Sequence, residues 1–321
     1  MHAIVGRSTM SDFRIDQKDI NRLSQIITQA DAVLVGAGSG LSTAAGLDFA
    51  GERLQKYFGD FTVKYGMTDM YSGCFADFES REERWAYWSR WAWFNRFEEI
   101  PKDTLRNLKK LLDGKDYFVL TTNIDHSFIR AGFDKRKLCY TQGDFGLLQC
   151  SKPCHDKTYD DQDLLRAMIS AQGYNLDSKG HFQVPKDKPV KMTIPAELIP
   201  HCPVCGREMD FNLFWDDRFV RDEGWHIAHS RYESWLSAHM MGKILYLELG
   251  VGFNSPGVIK YPFWQMTKEN PNAVFATIDL NQPCTWKEIA DRSIVIKSDL
   301  DKAIAELLKL KLAKPESSAN R

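Results

Sequence analysis

Three short stretches carry residues whose types and spacing can do chemistry. Gly36-Ala37-Gly38-Ser39-Gly40-Leu41-Ser42 directly follows an apolar run. Glycines there let the backbone turn tightly and bring N–H groups against a phosphate, and a helix N-terminus behind them adds partial positive charge. The loop fails as a dehydrogenase fingerprint, because its third glycine is misplaced and no acid-ended strand follows at the distance needed to hold a ribose. It also lacks the lysine of a P-loop. A purely structural turn stands as the alternative to a nucleotide site. The second stretch, Thr122-Asn123-Ile124-Asp125, closes another apolar run, where an amide and a carboxylate can orient a sugar, an amide or a water. Asn and Asp also cap helices, so taken alone the tetrad reads either way. The third is two close cysteine pairs, Cys150-x3-Cys154 and Cys202-x2-Cys205. A secreted disulfide scaffold would be shorter and denser in cysteine, so the four read as thiolate ligands of one structural Zn2+, with no open position for catalysis. Cys74, Cys139 and Cys284 stand alone and read as small apolar fillers.

The elements that must position these residues are legible as periodicity. Six short segments, at 32–38, 116–123, 137–143, 244–250, 273–280 and 293–297, are β-branched or aromatic and end in Gly or polar residues. Their continuous apolar character predicts strands covered on both faces, hence a parallel sheet. Ile20, Leu23 and Ile27 predict a helix before the first strand. Leu105, Leu108, Leu111 and Leu112 predict another, N-capped by Asp103 and stopped by Gly114, and Leu300, Ile304, Leu307 and Leu308 predict a third. The fold class is α/β, a doubly wound parallel Rossmann-like sheet with a smaller zinc-binding and helical domain.

The sheet is interrupted twice. Residues 10–51, 101–143 and 242–312 make up the nucleotide-binding domain. The insertions 52–100, with a Trp-rich helix, and 144–215, with the cysteine pairs, form the small domain. Residues 216–241 connect the two as a helix, and 1–9 and 313–321 read as flexible termini. Both insertions leave the sheet at carboxyl ends of strands, where open α/β folds bind ligands. Trp85, Trp88 and Ala92 share one helical face and read mainly as core, with an aromatic channel as the lesser alternative. His226, His229 and His239 lie on a helix outside any HExxH frame and read as packed or solvated, and His126 reads as a loop histidine or a substrate contact.

Charge and length exclude other classes. The 42 Lys and Arg nearly cancel the 43 Asp and Glu, which argues against a protein that coats nucleic acid. No apolar run reaches the length of a membrane span and no signal peptide begins the chain, so a cytoplasmic protein with no membrane and no nucleic-acid partner is expected.

In combination and in this order, the motifs resemble the sirtuin family: the loop Gly36–Ser39, the stretch Thr121–Asp125 followed by Ala131-Gly132, the two cysteine pairs, and Leu249-Gly250-Val251-Gly252 on a late strand. The resemblance spans residues 20 to 312. It implies NAD as co-substrate, held by Gly36, Ala37, Gly38, Ser39, Leu41, Ser42, Asn123, Ile124, Asp125, Gln142, Gly250, Val251 and Gly252, with Asp279 and Asn281 at the adenosine ribose. An ordinary strand-end turn is the plain alternative for the last two. It implies catalysis by Asn123, Asp125 and Gln142. Asn123 would hold ribose hydroxyls or a water beneath the anomeric carbon, Asp125 would bind the nicotinamide side or fix the neighbouring loop, and Gln142 would hydrogen-bond the ribose.

Two departures matter. Family members that remove acyl groups from lysine carry His-Gly at the end of the third strand, with the His as general base. This chain carries Gln142-Gly143, and an amide has no titratable proton. The PDFR stretch has become Leu47-Asp48-Phe49-Ala50-Gly51. These features resemble the class M sirtuins, which implies NAD-dependent protein mono-ADP-ribosyl transfer to a lipoylated glycine-cleavage H-like carrier protein, with a macrodomain hydrolase as functional partner. A lysine deacylase with a substitute base and a non-catalytic NAD or ADP-ribose sensor are the rival readings.

Overall fold

The computed structural model describes residues 3–5 and 16–313. Six strands form one parallel sheet in the order Ser293–Lys297, Val274–Asp279, Ile244–Leu249, Ala32–Ala37, Asp116–Thr121, Leu138–Tyr140. In chain order this is 3-2-1-4-5-6 read from the far edge, the doubly wound arrangement. Residues alternate between two buried layers, which explains the unbroken apolar runs. Val33, Val35, Val119 and Leu247 pack on Ile20, Leu23, Leu105, Leu108, Ile304 and Leu307. Leu34, Phe118 and Tyr246 pack on Phe263 and Trp264 and on Tyr232 and Trp235. The last two come from helix Glu223–His239, within the segment expected as a connector, which lies on a sheet face and is N-capped by the Asp222 carboxylate.

Two local expectations give way to long-range contacts. Asp103 stands at the N-terminus of helix Thr104–Leu112 but makes no side-chain cap; its carboxylate accepts from Arg106 instead, at 2.7 Å. The strand expected over 137–143 belongs to the large sheet only at Leu138–Tyr140. At Gly143 a second strand, Gly143–Cys150, begins and pairs antiparallel with Met209–Leu213 in a small sheet. Gly143 has φ +94°, and a Cβ on it would lie 1.9 Å from the Asn212 carbonyl oxygen, so the passage between sheets needs a glycine.

The segments 52–100 and 144–215 share one core, in which Phe58, Phe61, Trp85, Trp91 and Phe94 meet Phe145, Met168, Phe182 and Phe211. The helix Arg81–Arg96 is buried on every side from Trp85 to Asn95, not on one face only. Even Arg90 is enclosed. Its guanidinium donates to Tyr57 O and Asp60 in the first segment and to Gln172 and Lys191 O in the second, which offsets the cost of burying the charge. Of the two termini, Ala3–Val5 pair antiparallel with Cys284–Trp286 and Ala313 ends the last helix; the rest lies outside the described residues. Among the described residues, no helix is long and apolar enough to cross a membrane.

Candidate active site and metal centre

The strand order reverses between Ala32–Ala37 and Ile244–Leu249, and the crevice at the carboxyl ends of such a pair is where open α/β sheets take ligands. The loops leaving these two strands touch each other. Gly38 N donates to Leu249 O and Gly40 N to Gly250 O, both at 3.0 Å. A Cβ on Gly38 would lie 2.6 Å from Gly250 O and 2.8 Å from Val251 Cα, and Gly250 itself has φ +61°. The glycines thus serve loop-to-loop contact first. The N–H groups of Gly38, Gly40 and Leu41 are engaged inside the protein, the last by Gly38 O, so the expectation that they face a phosphate does not hold for these three.

Asn123 ends the neighbouring strand and closes over the loop. Its Nδ2 donates to Gly38 O at 2.9 Å and to Ser42 Oγ at 3.0 Å, while its backbone N–H is held by Thr121 Oγ1. With both amide protons engaged, only Oδ1 is left to meet a ligand. Ser42 Oγ in turn donates to Asp125 Oδ2, and Asp125 Oδ1 accepts from Ser127 N at 2.9 Å. Asp125 is buried, and both its oxygens hold protein. These contacts hold Ser42 and the Ser127 turn in place. Ile124 is half-buried against the small domain's core, and its carbonyl accepts from Phe145 N.

Gln142 is half-buried. Its Nε2 lies 3.3 Å from Ser255 Oγ, and its carbonyl accepts from Phe214 N. Gly252 is exposed, with nothing near the position of a Cβ. Asp279 caps its own turn, its Oδ1 accepting from Asn281 N and Gln282 N, which is the plain strand-end geometry. The structure therefore joins Gly38, Ser42, Asn123 and Asp125 into one hydrogen-bonded unit, with the Gly250 loop against it. Gln142 and Asp279 stand outside that unit.

Several residues around the site went unread in the sequence. Ser255 is one. The Arg96–Asp144 pair is another: Arg96 Nε lies 2.7 Å from Asp144 Oδ1. Burial would raise the Asp144 carboxyl, but the His126 and Arg96 partners outweigh it and hold it at about 2. Glu248, next to Gly36 across the sheet, is fully buried with Lys260 at 2.6 Å and Thr277 Oγ1 at 2.8 Å. Burial raises its carboxyl against the pull of Lys260. No periodic signal marks such contacts, since the partners come from other elements.

The four paired cysteines converge. Cys150 and Cys205 Sγ are 3.6 Å apart, Cys154 and Cys202 Sγ 3.7 Å, and all four sulfurs lie within 4.8 Å of one another. Tetrahedral zinc with Zn–S of about 2.3 Å asks for sulfurs about 3.8 Å apart, so the cluster fits that ion. The Arg207 backbone N–H draws the Cys205 thiol down to about 6, which favours thiolate at neutral pH. Cys74, Cys139 and Cys284 are buried, and burial raises all three thiols, consistent with packing residues. Metal analysis is expected to return one zinc per chain, and Cys202→Ser to yield insoluble protein rather than a soluble, selectively inactive one. Metal-free protein that stays folded and fully active would overturn this.

No family model matches the chain. A protein ADP-ribosyltransferase of Staphylococcus aureus is 33% identical over 303 residues, 94% of this chain and 90% of the relative. A probable bifunctional ADP-ribose hydrolase/ADP-ribosyltransferase of Fusarium oxysporum f. sp. cubense is 31% identical over 259 residues, which cover 77% of this chain and 40% of that longer protein. Among solved structures, a Sir2 homologue in complex with NAD superposes with a TM-score of 0.56 over 95% of this chain and 96% of its own. At 13% identity that is a likeness of fold.

Proposed function

This chain belongs to the family of protein ADP-ribosyltransferases and has the Sir2 fold, and on that premise we propose that it is a class M sirtuin that transfers ADP-ribose from NAD to a lipoylated glycine-cleavage H-like carrier protein, releasing nicotinamide. The observation that carries the reading is the intact Asn123–Ser42–Asp125 unit, whose polar groups can position a ribose, together with Gln142, a neutral amide where the family's lysine deacylases carry the His that serves as base.

NAD supplies a nicotinamide–ribose bond whose cleavage passes through an oxocarbenium-like transition state and whose leaving group departs neutral. No strong acid is needed at that step, and positioning does most of the work. Asn123 is suited to it. Its two donors are fixed on Gly38 O and Ser42 Oγ before any substrate arrives, so Oδ1 is held ready to accept from a ribose hydroxyl or from a water beneath the anomeric carbon. Asp125 keeps Ser42 and the Ser127 turn in place. Gln142 offers a neutral amide that can leave Ser255 for a ribose hydroxyl. Removal of an acyl group would further require a base to activate the ribose 2′-hydroxyl, which an amide cannot supply. A transferase that stops once the acceptor has attacked does without it.

The relative from Fusarium, whose name joins an ADP-ribose hydrolase to a transferase, supports a macrodomain-type hydrolase as the partner that reverses the modification. Labelled NAD should mark the lipoylated carrier and spare its unlipoylated form, with one nicotinamide released per label. Equal labelling of both forms would remove the lipoyl requirement. Release of O-acyl-ADP-ribose from an acyl-lysine peptide would make the protein a deacylase, and absence of nicotinamide release would make it a sensor. Gln142→His restores the family's base to one position only, and it should bring little acyl-lysine removal.

A further inference from the structure

His126 is the only non-glycine residue with positive φ among the described residues, at +57°. Left-handed backbone is uncommon outside glycine, although His, like Asn and Asp, adopts it more readily than other residues, and it persists where surroundings fix it. What fixes it here is a bridge. His126 Nδ1 lies 2.6 Å from Asp144 Oδ2, and its ring stacks on Tyr140 with centroids 4.9 Å apart and planes 5° from parallel. Asp144 is in turn held by Arg96 Nε from the Trp-rich helix and by Gly146 N, both at 2.7 Å.

The placement of these contacts matters more than their number. His126 directly follows Asp125, whose Oδ1 is bound by the N–H of Ser127 on the other side of the imidazole. Tyr140 and Asp144 each stand two residues from Gln142, one before it and one after. The imidazole therefore clamps the segment carrying Asn123 and Asp125 to the segment carrying Gln142, with Arg96 anchoring the clamp to the small domain. The Thr141 hydroxyl, one residue before Gln142, also joins the two segments by donating to Thr121 O at 3.1 Å, and Phe145 N donates to Ile124 O; the imidazole adds a contact between the side chains that flank the two candidate residues.

We propose that His126 and Asp144 are positioning residues for ADP-ribosyl transfer, setting the distance and angle between Asn123 and Gln142 across the reacting ribose. The proposal rests on the assignment of Asn123 and Gln142 to the active site. His126 acts through its neighbours, so the expected signature is a change in kcat more than in KM for NAD.

The test compares His126→Gly with His126→Asn in the full-length protein. Both tolerate left-handed backbone, so both keep the turn; only Asn keeps a polar side chain that can reach Asp144. His126→Gly is expected to lower kcat for transfer about tenfold or more, the scale of a misplacement below 1 Å, with KM for NAD within about threefold. His126→Asn should recover most of the loss. Wild-type kcat in His126→Gly, or Asn no better than Gly, overturns the proposal. If His126→Gly fails to fold, Asp144→Asn replaces it: a lower kcat at unchanged KM supports the clamp, and full activity overturns it. Asn123→Ala run alongside separates the premises. If that variant transfers at the wild-type rate the site assignment has failed, whereas an inactive Asn123→Ala beside a fully active His126→Gly removes the clamp alone.

Discussion

Asn123→Ala is expected to lower ADP-ribose transfer by about 10²-fold or more, the scale of a lost preorganised polar contact, while NAD affinity falls far less. The substitution removes Oδ1, the one atom of the amide free to meet substrate, and it also takes away the donor to Ser42 Oγ and one of the two donors to Gly38 O, which keeps the Leu41 N–H. Each buried partner left unmet costs about 1–3 kcal/mol, so some loss of thermal stability should accompany the loss of rate. Asn123→Asp is expected to be no milder. It keeps an oxygen at the right place, yet it loses both donors and sets a second carboxylate against the Ser42–Asp125 pair. Single-turnover transfer measured beside calorimetric titration of NAD decides the matter. A variant that binds NAD normally and transfers at the wild-type rate would place the active site elsewhere.

Gly38→Ala should weaken NAD binding about tenfold and lower the melting temperature by several degrees, for a reason that is purely steric. Gly38 has φ −112°, which alanine adopts without strain. The whole effect must therefore come from one methyl group, and that methyl would meet the backbone at Gly250 O and Val251 Cα, where no side chain can rotate away. Overpacking of this kind costs about 1–3 kcal/mol, and each 1.4 kcal/mol withheld from binding is about tenfold in affinity. Gly257→Ala is the control, since a Cβ there meets nothing within 4 Å. Equal NAD affinity in Gly38→Ala and wild type would detach the crevice from this loop.

The sheet was legible because buried parallel strands announce themselves as unbroken apolar runs, and all six expected strands form. The limits of that signal show at residues 137–143. An apolar run says that both faces are covered, but not by which sheet, and the structure hands the chain from one sheet to another between Tyr140 and Gly143. The Trp-rich helix shows the same limit. Trp85, Trp88 and Ala92 define a face, yet Arg90 on the opposite face is equally enclosed, because a polar residue with partners in other segments does not read as core. In the site, the residues within the motifs could be named, but not the bonds among them. Ser42 and Asp125 are 83 residues apart, and Arg96 and Asp144 are 48 apart. Asp103 fails for a local reason, since a capping residue type guarantees neither capping geometry nor freedom from an Arg three residues on.

The strand Gly143–Cys150 starts one residue beyond Gln142 and ends on a sulfur of the four-thiol cluster. Eight residues of strand at about 3.3 Å each make a rod of roughly 25 Å. Its pairing with Met209–Leu213 slips register between Gly143 and Leu148 and runs in register from Leu148 to Cys150, so the strand is bent at the end near Gln142 and regularly paired at the end near the thiols. One element thus spans from the candidate site to the metal centre, and a substitution that disorders the thiol cluster removes the support of the strand that Gln142 leads into.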